Sequence, residues 1–234
     1  MTFARRIASE GLGSAFLLAI VVGSGIMAER LAGGNTAIAL LANAIATGAG
    51  LAALILMFGA VSGAHFNPVV TLSQAWQKNT PAVEVGPYIA VQILGACAGV
   101  AAAHLMFGEP VFSVSQHVRT GAAQWWSEFV ATFGLIGVII GCTRSRPGMT
   151  PFAVAAYIVA AYWFTSSTSF ANPAVTLARS LTDTFTGIRP VDTPGFIIAQ
   201  LAGAGAATLV FCWLYRPSIA ATQSQAVPGS GKDA

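Results

Sequence analysis

Two short stretches decide the fold: Asn67-Pro68-Val69-Val70-Thr71-Leu72 and Asn172-Pro173-Ala174-Val175-Thr176-Leu177. Each stretch follows a long apolar span and opens a short amphipathic segment. Asparagine is favoured just before a helix and proline in its first turn, so each pair predicts a helix start. The helices predicted here, Val69 to Gln77 and Ala174 to Leu181, are too short to cross a bilayer, which takes about 20 apolar residues. One Asn-Pro pair alone would indicate a turn, but two matched copies indicate paired half-helices.

The composition around these stretches is that of a membrane protein. Of 234 residues, 55% are hydrophobic and 8% are charged, whereas soluble domains carry about 25% charged residues. The formal charge of +3 comes without a basic patch, which argues against nucleic acid as a partner. No spacing of His, Cys, Asp or Glu is typical of a metal site, and no cofactor is expected. Six apolar spans predict transmembrane helices: Gly11 to Ala28, Thr36 to Ala60, Val85 to Phe107, Trp126 to Cys142, Phe152 to Thr168 and Gly195 to Tyr215.

The chain also repeats itself. Glu10 near the start of the first span is matched by Glu128 near the start of the fourth, Asn67 by Asn172, and Gln92 by Gln200, at separations that agree to within loop-length variation. Three spans per half is an odd number, so the second copy must insert with opposite polarity. We therefore predict an all-α membrane protein with an inverted repeat. Its channel domain covers residues 1–216, the repeats cover about 5–110 and 121–216, and 217–234 form a disordered tail.

The predicted half-helices enter from opposite faces and meet at their amino ends. Irregular backbone at that depth is tolerated only where it is buried or lines a wet cavity. The positive ends of the helix dipoles would repel cations there, and the amides of Asn67 and Asn172 could donate hydrogen bonds to a passing solute. The sequence therefore predicts a solute path beside the two asparagines.

Three polar residues lie close to this path. Glu10 and Glu128 would lie within the membrane, where a carboxylate needs partners. They have two interpretations: a proton relay, or acceptors for backbone amides that hold the half-helix loops. Loop support is favoured, because both halves keep the residue and no other intramembrane acid could take a proton. His65 is interpreted as a similar brace for the first loop.

These motifs resemble the signature of the aquaporin and aquaglyceroporin (major intrinsic protein) superfamily. Ser62-Gly63-Ala64-His65-Phe66-Asn67-Pro68 closely resembles the first pore loop of glycerol-type members, and Phe170-Ala171-Asn172-Pro173-Ala174 resembles the second. The resemblance covers about residues 5 to 216. It implies that the pore motifs are Asn67, Pro68, Val69, Asn172, Pro173 and Ala174. It also implies a homotetramer in the lipid bilayer, with a pore in each subunit for passive flow of water and small uncharged solutes.

One departure from the family pattern concerns selectivity. An arginine normally follows the second motif and helps to form a narrow filter, but here that residue is Val175. The other filter positions, counted from the motifs, are Thr47, Ala160 and Ser169, and none of the four is aromatic. This set predicts a wide filter with few donors. In lacking the arginine the chain is similar to aquaporin-like proteins of bacterial arsenic-resistance operons. That resemblance implies a bacterial inner membrane and a cargo of arsenite, As(OH)3, with polyols, methylated arsenicals and some water.

Charged residues bear on the pore mouth and on orientation. Arg179 lies one helical turn after Val175, and two interpretations stay open: a side chain at the outer mouth of the pore, or one with a surface or phosphate-facing role. With the amino end inside, seven basic residues fall in inner segments and four in outer ones, which predicts cytoplasmic termini.

Several alternatives remain at the level of sequence. An ordinary water or glycerol channel fits the same fold. A proton-coupled secondary transporter shares inverted repeats and broken helices, but only Glu10 and Glu128 could couple. A junction role is disfavoured by the short loops. An enzyme is disfavoured because no Ser/His/Asp constellation or metal cluster stands at reactive spacing.

Overall fold

The computed structural model describes residues 1–215, so the predicted tail at 217–234 lies outside the described residues. This part of the chain forms eight α-helices. They are α1 (Phe3–Leu31), α2 (Thr36–Ser62), α3 (Pro68–Trp76), α4 (Ala82–Phe107), α5 (Ala122–Ser145), α6 (Thr150–Phe164), α7 (Pro173–Arg179) and α8 (Thr193–Leu214). Six of the helical segments are long and apolar enough to cross a membrane, and α3 and α7 are the two short ones. The prediction of six membrane helices plus two half-helices is confirmed.

The fifth span ends earlier than predicted. The apolar run suggested a helix to Thr168, but α6 ends at Phe164, because Thr165 has extended backbone angles of φ −111° and ψ 138°. The Thr165 hydroxyl donates to the carbonyl of Ala161 at 2.7 Å, which caps the last turn. Thr168 and Ser169 then take positive φ values of 60° and 50°, and the chain turns back towards the asparagine of α7.

Close helix crossings hold each half together. Helix α4 packs against α1, and α8 packs against α5, through a glycine at the matched position. A methyl group on Gly95 would lie 2.2 Å from the carbonyl oxygen of Gly11, and one on Gly203 would lie 2.4 Å from that of Phe129. Small residues at such crossings let two backbones approach closely, as is common between membrane helices.

Candidate solute pore

The tips of the two half-helices are joined by reciprocal hydrogen bonds. The side chain of Asn67 accepts from the backbone N–H of Val69 at 3.1 Å, and that of Asn172 accepts from Ala174 at 3.0 Å, so each asparagine caps its own helix. The Asn67 amide nitrogen donates to the carbonyl of Ala171, and the Asn172 amide nitrogen donates to the carbonyl of Phe66, both at 2.8 Å. Each NH2 group has two hydrogens, so one of them remains free for a solute.

The loops that carry these asparagines are held by the two buried glutamates. Glu10 is fully buried and accepts from the backbone N–H groups of His65 at 3.0 Å and Phe66 at 2.7 Å. Its carboxylate also accepts from Ser62 at 2.6 Å and from Gln92 at 2.8 Å. These contacts are those expected of a loop support.

Glu128 makes a similar set in the second half, with two backbone donors and one glutamine but no serine among the described residues. It is fully buried and accepts from the backbone N–H groups of Phe170 at 2.9 Å and Ala171 at 2.8 Å, and from the side chain of Gln200 at 2.6 Å. Neither glutamate is among the residues that line the cavity beside the tips. A relay that carries protons through the pore gains no support from this arrangement.

A cavity passes both asparagines. It encloses about 910 Å³ of empty space, part of which is open to solvent, and its wall includes Asn67 and Asn172. Gln74, Thr143 and Thr150 line one end, here called the Thr143 mouth. The other end, here called the Arg179 mouth, is lined by Thr47, Tyr162, Ser169, Phe170, Val175 and Arg179. His65 braces the first loop through Thr71, 3.1 Å away, and also lines the cavity.

Three of the four predicted filter residues line the Arg179 mouth, and one does not. Thr47, Ser169 and Val175 are buried and belong to the cavity wall. The assignment of Ala160 is wrong, because this residue lies on the exposed face of α6. Ile158 and Tyr162 line the cavity instead. Val154, Ile158 and Tyr162 are spaced four residues apart and therefore lie on one side of α6. Counting back from the second motif without gaps gives Ala160, which lies between Ile158 and Tyr162 in sequence and on another side of the helix.

The Arg179 mouth therefore contains aromatic rings, contrary to the expectation from the four counted positions. The hydroxyl of Tyr162 donates to the hydroxyl oxygen of Thr47 at 3.3 Å, which places this ring beside a predicted filter residue. Phe170 contributes a second ring to the wall. The mouth is less open than Thr, Ala, Ser and Val alone would make it.

Arg179 is buried and belongs to the cavity wall, which favours the interpretation as a residue of the pore mouth. Its side chain is 2% exposed, its Nε donates to the carbonyl of Thr186, and its guanidinium carbon lies 3.4 Å from the centroid of the Phe170 ring. A guanidinium over an aromatic face is attracted by the quadrupole of the ring.

A second arginine beside the same ring was missed by the sequence analysis. Arg119, in the loop between α4 and α5, donates through Nε to the carbonyl of Gly187 at 2.8 Å, and its guanidinium carbon lies 5.1 Å from the Phe170 centroid. Burial lowers the pKa of the Arg119 guanidinium, which still stays charged at neutral pH. No motif surrounds Arg119, so the sequence carried no signal that would have placed it here.

Six spans around two abutting half-helices and a cavity define a membrane channel with an inverted repeat. The profile of the family described as "Major intrinsic protein" matches residues 1–166, and the chain belongs to this family. Members of this family are channels and not enzymes, so the chain is a multi-pass membrane channel for small solutes.

Individual relatives agree with this assignment. The chain is 52% identical over 214 residues to aquaglyceroporin AqpS of Rhizobium meliloti (strain 1021), a match that covers 92% of this chain and 91% of the relative. It is 26% identical to aquaporin Z of Bradyrhizobium diazoefficiens, with 90% and 93% of the two chains covered. Its fold is similar to the X-ray structure of the aquaglyceroporin from Plasmodium falciparum, with a TM-score of 0.68, 18% identity and coverage of 96% and 100%.

Proposed function

We propose that this channel conducts arsenite as neutral As(OH)3, together with polyols, methylated arsenicals and some water. The observation that carries the proposal is Val175, which is 6% exposed and lines the cavity directly after the second motif. Valine is smaller than the arginine usual at this position and carries no charge, so the path beside it can be wide enough for a solute larger than water. The 52% identity to a protein named as an aquaglyceroporin supports a glycerol-sized cargo.

The lining suits a neutral solute that carries a few hydroxyl groups. Leu17, Val21, Leu51 and Ile55 make part of the wall apolar, and threonine, serine, asparagine, glutamine, histidine and tyrosine side chains supply hydrogen-bonding groups between the apolar ones. A neutral polyol or As(OH)3 can meet these groups in turn and loses little hydration, whereas a bare ion would lose far more. The free N–H groups of Asn67 and Asn172 supply donors at the midpoint.

We propose passive flow in place of proton coupling. The carboxylates of Glu10 and Glu128 accept four and three hydrogen bonds and lie outside the cavity wall. Such saturated acceptors favour a structural role over uptake and release of protons. Assembly as a homotetramer in a bacterial inner membrane, with both termini cytoplasmic, belongs to the same proposal and rests on the sequence resemblance and the charge bias.

An ordinary water or glycerol channel is the second candidate. The observation that favours it is the presence of Tyr162 and Arg179 in the wall of the Arg179 mouth, because both side chains narrow that end.

A permeability panel separates the two candidates. Purified protein in lipid vesicles is challenged with arsenite, glycerol and water in stopped-flow swelling assays, with protein-free vesicles as the control. We expect arsenite and glycerol to permeate well above the control, at rates that do not change when the membrane potential is collapsed. Permeation by water alone would contradict the proposal. Loss of solute flux when the membrane potential is collapsed would indicate a coupled transporter.

A further inference from the structure

Within the described residues Arg179 forms no ion pair, although the carboxylate of Glu128 acts on its charge from beyond contact distance. Within residues 1–215 the ion pairs involve Arg6, Arg30, His117 and Arg189. In the same region no carboxylate oxygen lies within 4.0 Å of the guanidinium of Arg179 or Arg119. Arg179 is 2% exposed and belongs to the cavity wall, so water can solvate its charge only from the cavity side. A buried charge without a partner is costly, which makes this position a candidate for a ligand of opposite charge.

The contacts of Arg179 leave one edge of its guanidinium unused. Nε donates to the carbonyl of Thr186, and the flat face rests on Phe170. In the described part of the chain the terminal nitrogens Nη1 and Nη2 have no hydrogen-bond partner, and Arg179 forms part of the cavity wall. Two donors in a fixed fork therefore face the Arg179 mouth, a geometry that matches two oxygens of an oxyanion.

A second donor lies in the same wall. The hydroxyl of Ser169 is buried, 3% of this residue is exposed, and its oxygen has no partner among the described residues. Ser169 lines the cavity and directly precedes Phe170, the ring on which Arg179 rests. A buried hydroxyl without a hydrogen-bond partner is rare in native structures. A bound ligand or water that forms the missing hydrogen bond would explain it. Arg119 beside the same ring adds positive charge at this end of the cavity.

We propose that the Arg179 mouth holds a binding site for a small oxyanion, formed by the guanidinium of Arg179 and the hydroxyl of Ser169. The ligand class is a small anion with two or more acceptor oxygens, and inorganic phosphate is the probe. Because the site lies in the wall of the solute path, a bound oxyanion obstructs that path and slows the neutral cargo. The obstruction rests on the proposed function, whereas the binding itself does not.

Direct binding tests the site. Purified protein in detergent is titrated with inorganic phosphate, and line broadening in ³¹P NMR reports the bound fraction. We expect Arg179→Gln to weaken binding at least about tenfold, the factor that corresponds to loss of one charge-assisted hydrogen bond. Ser169→Ala, which leaves the arginine in place, should weaken binding less. Arg30→Gln is the matched control, because Arg30 is an exposed arginine paired with Glu109 and should bind phosphate as the wild type does.

The outcomes separate this site from the proposed cargo. Equal phosphate affinity in the wild type, Arg179→Gln and Ser169→Ala overturns the site, and so does a wild type that binds no phosphate. Thermal unfolding of each variant shows that the comparison is made on folded protein. Glycerol flux into vesicles with phosphate on both sides should slow in the wild type and in Arg30→Gln, but not in Arg179→Gln. A protein that binds phosphate yet conducts neither glycerol nor arsenite keeps the site and refutes the proposed function.

Discussion

At the scale of single residues, we propose that selectivity depends on two positions one helical turn apart, 175 and 179. Val175 leaves an apolar wall directly after the second Asn-Pro-Ala, and Arg179 brings a cation to the mouth from the next turn, above the Phe170 ring. Helical side chains lean towards the amino end of their helix, which lets a residue at the end of α7 reach back along the pore. An arginine is thus absent from position 175, but a positive charge remains at the mouth because Arg179 supplies it from one turn further along α7.

The effect of this displacement can be tested at position 175. We expect Val175→Arg to lower glycerol and arsenite flux by at least about tenfold and to reduce proton leak, because a cation then narrows the path at the narrowest predicted point. Swelling assays and a pH-sensitive dye inside the vesicles measure the two quantities. Val175→Leu is the control for size without charge and should reduce solute flux less. Solute flux that is unchanged in Val175→Arg would show that position 175 is not part of the filter.

At the scale of elements, the half-helices are held by the same contacts in both halves. Phe66 and Ala171 take left-handed φ values of 48° and 49°, which are costly for residues other than glycine. Their carbonyl oxygens accept hydrogen bonds from the side-chain amides of Asn172 and Asn67, and their backbone N–H groups donate hydrogen bonds to Glu10 and Glu128. The hydrogen bonds to the carboxylates offset the backbone strain, and they explain why a buried acid stands at the start of α1 and α5.

Helix crossing gives a prediction at this scale. We expect Gly203→Ala to destabilise the protein by about 1–3 kcal/mol, because the new methyl group would lie 2.4 Å from the backbone oxygen of Phe129 and α8 would have to move away from α5. Thermal unfolding in detergent measures the loss. Gly205→Ala, two residues along the same helix, meets nothing within 4 Å and serves as the control. Equal unfolding temperatures for the two variants would mean that the crossing tolerates a side chain.

Elements that depend on local chemistry could be predicted from the sequence, and contacts between distant segments could not. The Asn-Pro pairs predicted both helix starts, because asparagine caps and proline at the first position act within one turn. Ala160 was misplaced because counting along α6 cannot fix the rotation of a helix about its axis. Arg119 was missed because its place beside Phe170 depends on how its loop packs against the segment that follows α7.

At the scale of the whole molecule, Arg179 is the one arginine, lysine or acidic residue in the cavity wall among residues 1–215. The two membrane carboxylates lie outside the cavity wall and hold the loops that line it, and the midpoint offers amide donors from both halves. A pore with this layout needs no moving part to carry a neutral solute, which accords with the passive flow proposed above. The same layout predicts that its conduction depends on the space beside Val175.

The central claim, that solute passes between the two asparagine tips and beside Val175, can be tested by blocking that space. In a background without Cys97, Cys142 and Cys212, Val175→Cys and Ala160→Cys are treated with a bulky methanethiosulfonate reagent, and mass spectrometry verifies the labelling. We predict that labelling at 175 reduces glycerol flux to the level of protein-free vesicles, while labelling at 160, on the exposed face of α6, leaves the flux unchanged. Full flux with position 175 labelled, or equal loss at both positions, would contradict the account.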